Sequence, residues 1–324
     1  MINKVLLYNS GGGIGDSLQL MPIIISLKKH FTNCEIYILN AHQNHFKGKL
    51  RDFGIQVKDL DLEVEYFGFR WWHFFRAKKI INKKKIDKFD LIVDLQSKLR
   101  NTLILKKIPC KKFYSPTLNF IFCNERKKFV KKPDIVSTTI ENIGLLLNEQ
   151  IKILRFSLRD IPNKYLIEAK RLLPNNNYIG LSITQGNVYR KKSWSIKKFV
   201  ELANKLDSIN KVPVFFIDKK LIELINQLKL LVPNAIFPEE NSSHSSPALV
   251  AALAKRLEKA ISIDNGVMHM IALANIPMIL LFGPTNSEKF SPKINNLKIF
   301  DSKKIYNSSD INKITVEEVF NSIE

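Results

Sequence analysis

A chain of 324 residues with 45% hydrophobic side chains exceeds what one core usually serves and suits two α/β domains. No apolar run reaches the roughly 18 residues of a spanning helix, the opening MINKVLLYNS lacks the layout of a signal peptide, and the three cysteines (Cys34, Cys110, Cys123) show no C-x-x-C spacing, so a soluble cytoplasmic protein without a zinc site is expected. The net charge of +21 is concentrated: Tyr66 to Lys132 holds 19 Lys/Arg against 4 Asp/Glu, a patch that attracts nucleic acid, anionic lipid or a phosphorylated glycan.

Asn3 to Asn9 (NKVLLYN) reads as a strand, and it ends on Ser10-Gly11-Gly12-Gly13-Ile14-Gly15-Asp16. From Ser17 the residues Leu18, Met21, Ile24, Ile25 and Leu27 fall at helical spacing, and Glu35 to Leu39 is a second strand. This strand, glycine-rich loop, helix and strand open a doubly wound domain. The glycines do not satisfy G-x-G-x-x-G, because Asp16 occupies the third position, and no G-x-x-x-x-G-K-[ST] loop occurs. What is left is a carboxylate at a helix start, either a cap or a general base.

Phe67 to Lys85 (FGFRWWHFFRAKKIINKKK) predicts an amphipathic helix. Phe67, Trp71, Phe74, Phe75 and Ile81 share one face, with Arg70, Arg76, Lys78, Lys83, Lys84 and Lys85 as a cationic flank. Such a helix suits a membrane interface; the plainer alternative puts the aromatics in the core and leaves the lysines solvated. A basic block from Arg126 to Lys132 extends the same surface. Phe89 to Leu95 is a further strand, with a helix from about Ser97.

Gln150 to Pro162 reads as the interdomain connection. Helix Asn163 to Leu173, strand Tyr178 to Thr184, helix Ile196 to Leu206, strand Val212 to Ile217 and helices Leu221 to Leu231 and Ala248 to Leu257 follow. Asn241 to Ser246 is a Ser/Asn-rich loop, and Thr315 to Ile323 a short terminal helix. The stretch Ala260 to Pro284 then runs strand, turn, helix, strand. Asp264, Asn265, Gly266 and His269 gather where its first strand ends, with Gly266 read as allowing a tight backbone path. Thr285 lies beyond the second strand on the same edge, where open α/β sheets bind ligands and a helix N-terminus suits a phosphate. The loop after Thr184 (Gln185 to Trp194) carries Arg190, Lys191 and Lys192 to this edge, a natural place for a diphosphate.

GIGD at Gly13 to Asp16, KKSW at Lys191 to Trp194, and DNGVMHMIALANIPMILLFGPT at Asp264 to Thr285 resemble glycosyltransferase family 9, the ADP-heptose:lipopolysaccharide heptosyltransferases and their relatives. The resemblance covers the start of the first domain and most of the second; residues 45–135 carry none of it. It implies a GT-B architecture, two Rossmann-like domains with parallel sheets facing across a cleft. An acceptor-binding domain would span 1–155 and a nucleotide-sugar domain 156–310, with the helix in 311–324 packing back on the first. It implies inverting, metal-independent transfer with no cofactor, the nucleotide-sugar being the substrate. Asp16 matches the catalytic base, in an acceptor loop with Gly13 and Gly15. Lys192 matches the diphosphate-binding residue. Thr184, Gln185, Asp264, Asn265, Gly266, His269 and Thr285 belong to the same donor site. Where the family has Ser or Thr between Asp and Gly, this chain has Asn265.

The expected partners are a nucleotide-sugar, by default ADP-heptose, a lipid-linked glycan acceptor and an anionic membrane surface reached through Arg70, Trp71, Trp72 and Lys83 to Lys85. A monomer on the inner face of the cytoplasmic membrane, binding no nucleic acid, is expected. The competing readings are a family member that binds nucleotide-sugar without turnover and a basic nucleic-acid-binding protein.

Overall fold

A computed structural model describes residues 1–10, 12–40, 43–64, 66–68, 70–125, 127–185 and 191–323. Gly11, Arg126 and the loop residues 186–190, Arg190 among them, lie outside the described residues. The chain divides into Met1–Phe156 and Ser157–Glu324. Among the described residues no helix is long and apolar enough to cross a membrane.

The first unit holds strands β1 (Lys4–Asn9), β2 (Glu35–Asn40), β3 (Lys58–Asp59), β4 (Phe89–Asp94) and β5 (Cys110–Tyr114) in the order β3-β2-β1-β4-β5, all parallel. Its helices are α1 (Ile14–His30), α2 (His73–Lys83), α3 (Leu99–Leu105) and α4 (Ile135–Leu147). Every residue of β4 is buried, as a central parallel strand covered on both faces requires. One face packs Leu6, Tyr8 and Ile92 against Ala77, Ile80 and Ile81 of α2 and Ile104 and Leu105 of α3.

The second unit repeats this plan. Its strands β6 (Tyr178–Ser182), β7 (Val212–Phe215), β8 (Leu257–Ile263), β9 (Met278–Phe282) and β10 (Leu297–Asp301) lie in the order β10-β9-β8-β6-β7. Ile236 adds a single parallel bridge to Val214, outside β7. The first sheet therefore follows the doubly wound order 3-2-1-4-5, the second, with the Ile236 bridge counted as its third member, 3-2-1-4-5-6, and each reverses direction beside its first strand, at β1/β4 and β6/β8. The helices are α5 (Asn163–Leu172), α6 (Ile196–Asp207), α7 (Ile222–Leu231), α8 (Pro247–Ala254), α9 (Gly266–Ala272), α10 (Ser287–Phe290), α11 (Ser302–Tyr306) and α12 (Val316–Phe320).

Two expectations are corrected by packing. The terminal segment, expected back on the first unit, belongs to the second unit's core: Ile314, Val316 and Val319 are buried with Phe199 and Leu202 of α6. The basic aromatic helix begins only at His73, so Phe67 and Trp71 precede it and share no face with Phe75. Its buried face is His73, Ala77, Ile80 and Ile81, at helical spacing, while Trp71, Trp72 and Phe75 are exposed.

Candidate active site

In the first unit the chain leaves β1 and turns into α1 at Gly13. Asp16 stands three residues on, in the first turn, and its Oδ2 accepts from the Gly13 amide at 3.1 Å. This is the half of a capping box that runs from the third helical residue back to the N-cap, and it fixes the carboxylate at the carboxyl edge of the sheet. A Cβ on residue 13 would lie 3.2 Å from that oxygen, so glycine here keeps its approach open. Gly15 is the second residue of α1.

At the end of β4, the strand next to β1, a second carboxylate is fully buried. Asp94 Oδ2 accepts from Thr102 at 2.6 Å and Ser115 at 2.8 Å, and Oδ1 from the Gln96 amide at 2.9 Å. Burial pushes its carboxyl up to about 6 despite these donors. Gln96 Nε2 reaches Asn9 Oδ1 at 2.9 Å and so joins the loops after β1 and β4.

In the second unit the corresponding loops pair a cation with an acid. Lys192, after β6, places Nζ 2.5 Å from Asp264 Oδ2, after β8, and both side chains are largely shielded. The Lys192 amide donates to Gln185 Oε1 at 2.9 Å. Asn265 caps α9 by accepting from the Met268 amide at 2.8 Å, while its Nδ2 donates to Ser182 Oγ and the Thr184 carbonyl, both at 2.8 Å. Asn thus performs the Ser/Thr capping role and adds two donated bonds, where a capping hydroxyl has a single proton to give. Gly266 is the first residue of α9 and has no left-handed φ, so the tight path expected there is ordinary helix entry. His269 lies half-buried one turn further on. Thr285 follows β9; its Oγ1 is buried without a hydrogen-bond partner among the described residues, an unmet donor that a ligand oxygen would satisfy. Gly283, two residues before it, packs so closely on the terminal segment that a Cβ would lie 2.8 Å from the Ser309 carbonyl.

The tryptophan of the KKSW run anchors the Lys192 loop. Trp194 is fully buried against Phe199, and its Nε1 donates to the Ile314 carbonyl at 3.0 Å. Lys198 Nζ reaches the carbonyls of Asn312 and Ile314, both at 2.7 Å. The terminal segment therefore fixes where the loop carrying Lys192 ends.

Helix geometry redistributes the expected membrane residues. Lys84 pairs with Asp61 and Glu63, each at 3.1 Å, and Lys83 and Lys85 close the far end of α2. Arg70 instead lies 5.7 Å over the Trp72 ring. Glu239 was missed by sequence reasoning. It lies three residues beyond the Ile236 bridge, buried, accepts from Ser245 Oγ at 2.9 Å, and is pushed up to about 7 chiefly by burial. A buried carboxyl with a raised pKa on a ligand-binding edge is a functional candidate. Nothing local in the sequence marks it, because its burial depends on the loop 241–245.

The glycosyltransferase family 9 (heptosyltransferase) profile matches residues 78–320, three quarters of the chain. The chain belongs to this family. It is a glycosyltransferase. Solved structures share its fold: a family 9 glycosyltransferase from Veillonella parvula DSM 2008 (TM-score 0.67, 15% identity, covering 98% of this chain and 95% of that one). E. coli heptosyltransferase WaaC, solved with ADP and with ADP-2-deoxy-2-fluoro heptose, gives 0.66, 16%, 99% and 98%. E. coli ADP-heptose lps heptosyltransferase II gives 0.63, 14%, 99% and 98%. No curated protein matches this family 9 member in sequence.

Proposed function

We propose that this family 9 glycosyltransferase moves a heptose, with inversion and without a metal ion, from ADP-heptose to a lipopolysaccharide inner-core acceptor. The observation that carries this reading is the Lys192–Asp264 pair at the reversal of the second sheet. An ammonium has three protons, so Lys192 can keep Asp264 and still donate to diphosphate oxygens. The unpartnered Thr285 hydroxyl supplies a further donor on that edge.

In the reaction the acceptor oxygen bonds to the anomeric carbon as the bond from that carbon to the diphosphate oxygen breaks. Asp16 takes the acceptor hydroxyl proton, and Lys192 offsets the charge gathering on the departing nucleoside diphosphate, a task metal ions perform elsewhere. That WaaC was solved with ADP-2-deoxy-2-fluoro heptose supports an ADP-linked heptose as donor here. The acceptor is lipid-linked, and the protein works as a monomer attached peripherally to the inner face of the cytoplasmic membrane. Exposed Trp71, Trp72 and Phe75 beside Arg70 and Arg76 support that attachment.

A thermal-shift screen of ADP, UDP, GDP and their sugars tests the donor assignment, since a ligand of the folded state raises its apparent stability. Selective stabilisation by ADP and ADP-heptose is expected. Stabilisation by UDP- or GDP-sugars alone, or by none of these ligands, removes the assignment.

A further inference from the structure

The segment after β5 has a conformation that folding alone does not favour. Leu118, Asn119 and Phe120 are three consecutive non-glycine residues with φ of 46°, 58° and 66°. Left-handed backbone is disfavoured for each L-residue and is rarely held in runs. Here the arc is pinned on every side. Thr117 Oγ1 lies 2.6 Å from Thr102 Oγ1. The Ser115 amide donates to Cys123 Sγ at 3.4 Å, and Phe120 packs buried against Phe129 and Tyr114. Asn119 is left outside, and with it two apolar side chains, Leu118 and Ile121, 62% and 66% exposed.

This arc continues the aromatic surface at the start of α2. Arg100 of α3 lies 6.0 Å over the Trp71 ring and Lys107 lies 4.3 Å over Phe74. Lys106, just past the end of α3, lies 4.7 Å over Phe113 and donates to the Phe122 carbonyl at 3.4 Å. A cationic ridge thus runs from Trp71 to the arc, with exposed apolar side chains at both ends. Between Tyr66 and Cys123 the three acids are otherwise engaged: Asp87 pairs with Lys4, Asp90 with Lys111, and Asp94 is buried. None of them neutralises the ridge.

We propose that Leu118 and Ile121 form, with Trp71, Trp72 and Phe75, one docking surface for an anionic bilayer. The apolar side chains enter the headgroup–acyl boundary at two points, and Arg70, Arg76, Arg100, Lys106 and Lys107 take the lipid phosphates between them. This rests on the peripheral-membrane reading above and adds to it a second insertion point. The contacts of Thr117, Ser115 and Phe120 hold the arc in this conformation and so mount the two apolar side chains rigidly.

The test floats the full chain with phosphatidylcholine vesicles with and without phosphatidylglycerol. The wild type is expected to bind the anionic vesicles. Leu118→Asn with Ile121→Asn is expected to lower partitioning by about tenfold or more. The same change is expected to keep or raise the melting temperature, because Asn tolerates the left-handed backbone at 118 and the side chain at 121 is exposed. Ile222→Asn with Leu230→Asn, apolar residues exposed on α7, is expected to change partitioning less than about twofold. Wild-type binding that survives the Leu118/Ile121 change overturns the arc's role and leaves the membrane reading standing. Failure of the wild type to bind anionic vesicles removes both. Should the Leu118/Ile121 change instead abolish a dimer seen by sedimentation without lipid, the surface is an interface between copies and the proposal fails.

Discussion

At the end of β1 the first unit caps its helix with an acid, Asp16, held by a single backbone amide and left partly open. At the end of β8 the second unit caps its helix with a neutral amide, Asn265, braced by three bonds, and sets a shielded Lys–Asp pair beside it. The strand order is the same, but the chemistry differs. In the reaction we propose, Asp16 is the proton acceptor and has to be reachable by the group it deprotonates, which one amide contact and glycine at position 13 allow. In the same proposal Lys192 receives the departing diphosphate and must be placed before the charge develops, which its ties to Asp264 and Gln185 and the Trp194 anchor of its loop provide.

The change expected to break this contrast most sharply is Asp16→Asn. Turnover should fall by about 10²–10⁴-fold, the usual worth of a general base, with the ADP-induced thermal shift unchanged. An unaltered rate overturns the assignment. Lys192→Met should lower kcat by about 10²-fold and weaken donor binding too, which separates it from the Asp16 change. Titration of ADP-heptose against both variants checks the split.

Glu239 sharpens the comparison through stability. Its folded carboxyl titrates near 7, raised chiefly by burial and also by Asp218, against an ordinary value near 4.5 in the unfolded chain. Between those values the folded state holds a proton that the unfolded chain has released, so stability falls as pH rises from about 4.5 to 7 and then levels. Glu239→Gln removes the titration and should make the protein more stable at pH 8 by on the order of 1–3 kcal/mol, with no gain near pH 4. Denaturant melts across that range measure it. A wild-type profile flat from pH 4.5 to 7 would contradict the burial argument. The smallest effect concerns Asn265: its change to Ala should cost about 1–2 kcal/mol, and to Ser, which keeps the cap and loses the brace, about half of that. Equal losses in urea midpoints would mean the brace contributes nothing.

Much of the frame was legible. β9 lies where the apolar run MILLF stood, and the helices around 163–172 and 222–231 begin and end within a residue or so of their periodicity. The edge strands β3, β5 and β10 were not readable, because one pairing side leaves them polar and partly exposed, as in Lys58–Asp59 and LKIFD. The aromatic helix misled because Phe67 and Trp71 precede His73, and periodicity carried across a turn has no meaning.

By itself the sequence determined where buried strands and helices form, that a carboxylate follows the first strand, and which family motifs the chain carries. These are properties of near neighbours, set by side-chain spacing and backbone freedom. Only the tertiary structure decided that Lys192 meets Asp264, 72 positions away, that Trp194 is held by Ile314, and that Asp94 and Glu239 are buried. Those facts depend on strand order, which brings distant loops to one sheet edge and removes their carboxyls from water.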